Sequence, residues 1–78
     1  MNATTINNLL DDFGFDKPGL RGWRDFQNLR VAIHADDERF DLIAFTGKPG
    51  RSLMAWQLSF TFDVPFGIVQ AALAEAVA

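Results

Sequence analysis

The stretch MAWQLSFTF at residues 54–62 alternates between large apolar side chains and smaller or polar ones. This period of two predicts a half-buried β-strand. The next three residues, Asp63-Val64-Pro65, predict the start of a helix, because Asp caps helix N-termini and Pro is tolerated in a first turn. An apolar stripe at helical spacing then continues to Val77. The apolar face of the predicted strand carries Met54, Trp56, Leu58, Phe60 and Phe62.

Two more strands are predicted upstream of this stretch. Leu29–His34 alternates, and Phe40–Phe45 is apolar on nearly both faces. A polar break at Asp36–Glu38 and a loop at Thr46–Ser52 separate the strands, and such short connections favour an antiparallel meander. Trp23–Asn28 fits either a fourth strand or an irregular lead-in.

The N-terminal part of the chain predicts a short helix from Thr4 to Phe13, capped by Thr4 or Thr5 and stopped by Gly14. Residues 1–78 therefore predict a single domain of the α+β class, α-β-β-β-α. It is an antiparallel meander of three strands, or four if Trp23–Asn28 pairs, with an N-terminal helix and a C-terminal helix packed on the sheet. We expect the C-terminal helix to cover the face that carries Val31, Leu42 and Trp56.

The composition excludes several classes of protein. The chain has no cysteine, which rules out disulfides and thiolate zinc sites, and its 49% hydrophobic content is too high for a disordered chain. The net charge of −3 argues against a generic binder of nucleic acid or anionic membranes. No apolar run approaches the roughly 20 residues of a membrane span, and no signal-peptide pattern is present, so a cytoplasmic location is expected.

The residues available for catalysis are few. His34, with Ser59 and either Asp41 or Asp36, is the one combination that could activate a nucleophile. Its members also read as ordinary residues of the outer sheet face, which is the interpretation we favour. The acidic run Asp36–Glu38 lacks the spacing of a calcium loop. The Gly-rich loop Thr46–Ser52 is followed by a strand, whereas a phosphate-binding loop is followed by a helix. The sequence therefore predicts no enzyme, no catalytic or metal-ligating residue and no cofactor.

Residues 17–30 combine basic and aromatic side chains. They include four of the seven Lys and Arg residues, together with Trp23 and Phe26. The aromatic residues can fill the core, form a protein interface or stack on single-stranded nucleic acid. The candidate interface residues are Arg21, Trp23, Arg24, Phe26, Ile43 and Phe45. The candidate nucleic-acid contacts are Lys17, Arg21, Arg24 and Arg30.

The second predicted strand implies an apolar surface that one helix cannot cover. Ile43 and Phe45 alternate with other apolar residues, so burying one face exposes the other. Either the N-terminal helix packs on the second face through Ile6, Leu9, Leu10 and Phe13, or a partner chain does. A monomer and a two-fold homodimer both satisfy this requirement.

In the last third of the chain, a strand that contains Trp56 and Ser59-Phe60 leads through Pro65 into an Ala-rich final helix. This pattern, over Trp56–Ala76, resembles that of small actinobacterial and actinophage domains of unknown function. The resemblance implies an actinobacterial or phage origin, and so the host cytoplasm if the chain is phage-encoded. It implies no activity.

The sequence as a whole favours a non-enzymatic accessory protein that acts by binding another protein of unknown identity. The alternative hypothesis is a nucleic-acid-binding module that uses Lys17–Arg30. The net negative charge makes this alternative the weaker of the two.

Overall fold

The structure is a computed structural model that describes residues 1–47 and 53–78. Its four strands form one sheet in the order β1-β2-β3-β4, and each strand is antiparallel to the next. The predicted α+β meander with two terminal helices is confirmed, and residues of Trp23–Asn28 supply the fourth strand. The elements are α1 (Ala3–Asp12), β1 (Arg24–Phe26), β2 (Leu29–His34), a short 3-10 helix (Ala35–Asp37), β3 (Arg39–Thr46), β4 (Leu53–Thr61) and α2 (Phe66–Val77).

Helix α1 begins one residue earlier than predicted. Its cap is Asn2, whose side-chain oxygen accepts a hydrogen bond from the Thr5 amide at 2.9 Å, so the predicted Thr4 or Thr5 cap is wrong. The predicted stop at Gly14 is confirmed: Gly14 has a φ of 86°, and the Phe15 amide donates to the Leu10 carbonyl at 3.0 Å. This is the Schellman arrangement, in which a left-handed glycine turns the chain out of the helix.

Helix α2 begins at Phe66, and the predicted cap at Asp63 is wrong. The cap position belongs to Pro65, which has an extended backbone and no capping side chain. Asp63 lies two residues before this position, where the Val64 amide donates to the Thr61 carbonyl in a turn. The fixed φ of Pro65 starts the helix without a side-chain cap.

The register of β4 against β3 shifts near one end. Ala44 is paired with Trp56 but Phe45 is paired with Met54, so Ala55 is an extra residue in β4. Such a bulge reverses the alternation beyond it. Met54 therefore lies on the same face as Phe45, and the predicted placement of Met54 beside Trp56 is wrong.

Both helices pack on the same face of the sheet. Val31 and Leu42 are 1% exposed, which confirms that this face is covered, but Trp56 on the same face is 42% exposed. Apolar residues of α1 join those of α2 in a single cluster, so the expectation that the N-terminal helix covers the second face is wrong. We call this second face, which carries Arg30, Asp41 and Phe45, the open face. The cluster contains Ile6, Leu9, Leu10, Phe15, Leu29, Val31, Phe40, Leu42, Ala44, Phe62, Val69 and Leu73.

Candidate functional site

At one end of the open face, an arginine is held between two aromatic rings. The Arg30 guanidinium carbon lies 4.1 Å from the centroid of the Trp23 ring and 5.3 Å from that of Phe45. Arg21 approaches the same Trp23 ring at 5.3 Å. These distances are within the range of cation–π attraction. We call Arg21, Trp23, Asp25, Arg30 and Phe45 the arginine–aromatic surface.

Asp25 fixes the orientation of Arg30. The two residues are directly opposite each other in the β1–β2 ladder. Arg30 Nε donates to Asp25 Oδ1 at 2.8 Å, and Nη2 donates to Oδ2 at 3.3 Å. A bidentate pair of this kind holds the guanidinium plane in one orientation.

A concavity lies on each side of this surface. One has a volume of about 440 Å³ and the other about 370 Å³, and Asp25 lines both. Leu20, a fully exposed apolar side chain, is part of the smaller one. The larger is lined by Asp25, Gln27, Asn28, Leu29, Arg30, Phe45, Thr46 and Gly47, and the smaller by Asp16, Lys17, Gly19, Leu20, Arg21, Trp23 and Asp25.

Arg24 is the clearest correction to the sequence-based site. It was predicted both as an interface residue and as a nucleic-acid contact, but it is only 2% exposed. Its guanidinium donates five hydrogen bonds, to the carbonyl oxygens of Asn7, Phe15 and Asp16, to the Asn7 side chain and to Asp11. Because alternation along β1 places Arg24 on the helix-covered face, it joins α1 to the sheet and is not available to a partner.

Phe26 lies on that same covered face, where it packs against the core at 5.5 Å from the Phe15 ring. Phe26 is half-buried there and lies on the opposite face from Trp23 and Phe45, so the structure does not bring it together with them. Of the remaining candidate interface residues, Arg21, Trp23 and Phe45 are brought together on the arginine–aromatic surface. Ile43 is half-buried and lies opposite Arg30 in the β2–β3 ladder.

The candidate nucleic-acid contacts do not form a continuous basic patch. Lys17 donates to Asp11 at 3.1 Å, Arg30 is paired with Asp25, and Arg24 is buried. Arg21 lies over Trp23. Binding to nucleic acid depends on several cations that neutralise phosphates and release the counterions of the nucleic acid. Pairing within the chain therefore lowers the positive charge that is available to phosphates.

A cluster of polar side chains surrounds Asp41 elsewhere on the open face. Ser59 Oγ donates to Asp41 Oδ1 at 2.7 Å, His34 Nε2 lies 3.0 Å from Oδ2, and Arg39 Nη1 donates at 3.3 Å. Burial raises the pKa of the Asp41 carboxyl, but the bonds from Ser59 and His34 and the charge of Arg39 outweigh it, so the pKa lies below 3.8.

The order of these contacts differs from that of a catalytic triad. In a triad the imidazole lies between the hydroxyl and the carboxylate, so that it can take the hydroxyl proton. Here the carboxylate of Asp41 lies between Ser59 and His34. The combination that the sequence offers is brought together through Asp41 rather than Asp36, and its geometry positions a carboxylate without activating Ser59. Neither of the two concavities is lined by any of them.

Within residues 1–47 and 53–78, no group of three or more His, Cys, Asp or Glu side chains is placed to hold a metal ion. None of the helices described has the length and the apolar content that crossing a bilayer requires.

Sequence reasoning missed two features of the surface. It did not identify Leu20 as an exposed anchor, although a lone Leu between Gly19 and Arg21 in a turn is a usable signal. It also assigned the apolar face of β4 to the core, whereas Trp56 and Leu58 are 42% and 45% exposed. Alternation shows which residues share a face, and it does not show how far the helices extend across that face.

The chain was compared with models of protein families, with curated proteins and with solved structures, and none of the three comparisons finds a match. The resemblance of Trp56–Ala76 to actinobacterial and actinophage domains stays a prediction.

Proposed function

We propose that this protein is a non-enzymatic interaction module that binds another protein through the arginine–aromatic surface. The observation that carries the proposal is the Arg30 guanidinium held between Trp23 and Phe45 on an open sheet face, with a concavity on either side. Arg and Trp are the side chains most often found as anchors in protein interfaces.

The arrangement favours binding for an energetic reason. A partner that docks on loose side chains must order them, at a cost of about 0.5–1.5 kcal/mol for each one immobilised. Asp25 and the two rings already hold Arg30 in place. The fully exposed Leu20 at the edge of the smaller concavity offers apolar area that only a partner would cover.

The arrangement around Asp41 supports the non-enzymatic part of the proposal. A serine activated for nucleophilic attack needs a base that accepts its proton, and here a carboxylate of lowered pKa accepts the bond. The proposal extends the sequence-based expectation of a phage or actinobacterial accessory protein in the cytoplasm.

The proposal is tested by affinity capture from a lysate of the organism that encodes the chain, with the unaltered protein and three variants as bait. Leu20→Asp and Arg21→Glu change exposed side chains without disturbing the core, and we expect each to reduce recovery of the partner at least tenfold. Gln70→Glu, on the exposed side of α2, is the matched control and should recover as much as the unaltered chain. Equal recovery by all forms would contradict the proposal.

The nucleic-acid alternative has a separate test. Titration of a fluorescent single-stranded oligonucleotide at low salt should show no binding, because Lys17 and Arg30 are neutralised within the chain. Binding that weakens steeply as salt rises, and that is lost in Arg21→Glu, would replace the protein-binding proposal.

A further inference from the structure

Strand β4 is an edge strand that lacks the usual protection against pairing with another chain. It is the last strand in the sheet order, and its nine residues include no charged residue and no proline. Edge strands of monomeric proteins are commonly blocked by Lys, Pro or bulges, because their free N–H and C=O groups form a template for another strand. In β4 the bulge at Ala55 is the one such device, and it lies near one end.

The hydrogen-bond pattern identifies which backbone groups of β4 are free. The Phe62 amide donates to the Glu38 carbonyl at 2.8 Å, and bonded pairs alternate with unbonded pairs in an antiparallel ladder. The backbone groups of Trp56, Leu58 and Phe60 therefore point toward β3. Those of Gln57, Ser59 and Thr61 point toward the free edge.

The same region holds most of the large apolar side chains that are exposed among residues 1–47 and 53–78. On the covered face, Leu58 and Trp56 of β4 are 45% and 42% exposed, whereas their partners in β3, Leu42 and Ala44, are 1% and 2% exposed. Coverage by the helices therefore ends between β3 and β4. Taking about 200 Å² for a large apolar side chain, the exposed fractions of Leu53, Trp56, Leu58, Phe66 and Ile68 amount to roughly 500 Å², and Met54 lies on the other face. Six of the seven large apolar residues that are exposed lie in β4 or at the start of α2: Leu53, Met54, Trp56, Leu58, Phe66 and Ile68.

This area suits a dimer interface. A standard interface buries about 800 Å² on each partner, which the apolar area approaches before the free backbone edge and neighbouring polar atoms are added. On a monomer, the largest apolar patch is about 300–600 Å². The patch lies in the upper part of this range, and what favours pairing is its position beside the uncharged free edge of β4.

We propose that β4 pairs antiparallel with β4 of a second copy, about a two-fold axis that passes through Gln57. This register places Trp56 opposite Leu58 of the second copy, so that each half-exposed apolar side chain covers the other. Regular pairing ends at the bulge at Ala55, beyond which Met54 lies on the opposite side of the sheet. The free backbone N–H and C=O groups of Gln57 form hydrogen bonds with those of Gln57 in the second copy. Two four-stranded sheets become one continuous sheet, with all four helices on the same side.

A second copy fits this edge better than an unrelated strand because β4 is uncharged. A charged strand would lose solvation against Leu53–Thr61 without gaining a counter-charge. Two copies of β4 bring no like charges together and match one apolar face with another. An isologous contact of this kind closes at two subunits and leaves no strand edge at the interface.

The register is tested by disulfide trapping, which is clean because the chain has no cysteine. In Gln57→Cys the Cα atoms of the two cysteines would be about 5.5 Å apart across the axis, which is within the Cα–Cα range of disulfides. We expect near-complete dimer on mild oxidation. Thr61→Cys, on the same edge but four residues from the axis, separates the thiols by more than 20 Å and should stay uncrosslinked. Equal trapping of both variants, or none of Gln57→Cys, would overturn the proposal.

The oligomeric state is tested by sedimentation equilibrium of the unaltered chain. We expect a mass twice the 8.7 kDa of one chain. Gln57→Lys, which places two like charges at the axis, should return the mass to that of one chain, while Gln70→Lys on α2 should leave the dimer intact. A single-chain mass for the unaltered protein at about 0.5 mM, or a dimer in Gln57→Lys, would overturn the proposal. Neither result bears on capture of a partner by the arginine–aromatic surface.

Discussion

At the scale of single residues, Arg24 shows how a cation can serve the fold. It donates to carbonyl oxygens of α1 and of the segment after it, so its removal takes a donor away from acceptors that are buried or partly buried. We expect Arg24→Met to lower the free energy of unfolding by about 2–4 kcal/mol. Arg24→Lys should lose nearly as much, because an ammonium lacks the planar fork. Urea denaturation measures both, and Arg21→Met, on the surface, should change stability by less than about 0.5 kcal/mol.

Asp41 makes stability depend on pH through one identifiable bond. Its pKa is lower in the folded protein than the ordinary 3.8, so its contribution is complete above about pH 5 and is lost as the pH falls through the folded value. Ser59→Ala removes a hydrogen bond to this carboxylate and should cost about 1–2 kcal/mol at pH 7. The cost should shrink as the pH falls and the carboxyl takes up its proton.

Urea titrations of Ser59→Ala at pH 7 and at pH 2 check this expectation. Thr61→Ala is the matched control, because it removes an exposed hydroxyl from the same strand face. A loss in Ser59→Ala that is the same at both pH values would show that the hydroxyl does not act through the Asp41 charge.

At the scale of elements, Glu38 carries backbone strain between the 3-10 helix and β3. Its φ of 52° and ψ of 45° are left-handed, which costs a residue with a Cβ about 1–2 kcal/mol. Glu38→Gly should therefore stabilise the protein by about 0.5–1 kcal/mol, after the greater entropy of glycine in the unfolded chain is subtracted. Glu38→Gln is the control, because it keeps the Cβ and removes the charge. If Glu38→Gln stabilised the protein as much as Glu38→Gly, the effect would come from the charge and not from the backbone. Thermal denaturation distinguishes the two.

The elements themselves follow from the sequence, since alternation and helical spacing depend on which side chains share a face. The bulge at Ala55 does not follow, because one extra residue changes the face of Met54 while the apolar pattern stays plausible. The burial of Arg24 does not follow either. It depends on the carbonyl oxygens of Asn7 within α1 and of Phe15 after it, which no local pattern in residues 17–30 can reveal. The arginine–aromatic surface is in part predictable, because Trp23 and its basic neighbours are adjacent in sequence, whereas Phe45 arrives through the sheet.

At the scale of the whole molecule, the uncovered surface links fold and assembly. The chain exposes 5192 Å², compared with about 4,700 Å² expected for a monomer of this mass. If the excess is covered by a second copy, folding and pairing are linked, and the melting temperature rises with protein concentration. We expect this rise for the unaltered chain over a hundredfold range of concentration, measured by circular dichroism.

Gln57→Pro separates pairing from folding. Its amide faces the free edge, so proline removes no bond to β3, and an edge strand is where proline is tolerated. The melting temperature of this variant should be independent of concentration and should match that of the unaltered chain at high dilution. A rise that persists in Gln57→Pro would place the contact elsewhere, and the open face that carries Phe45 and Met54 would then be the surface to alter.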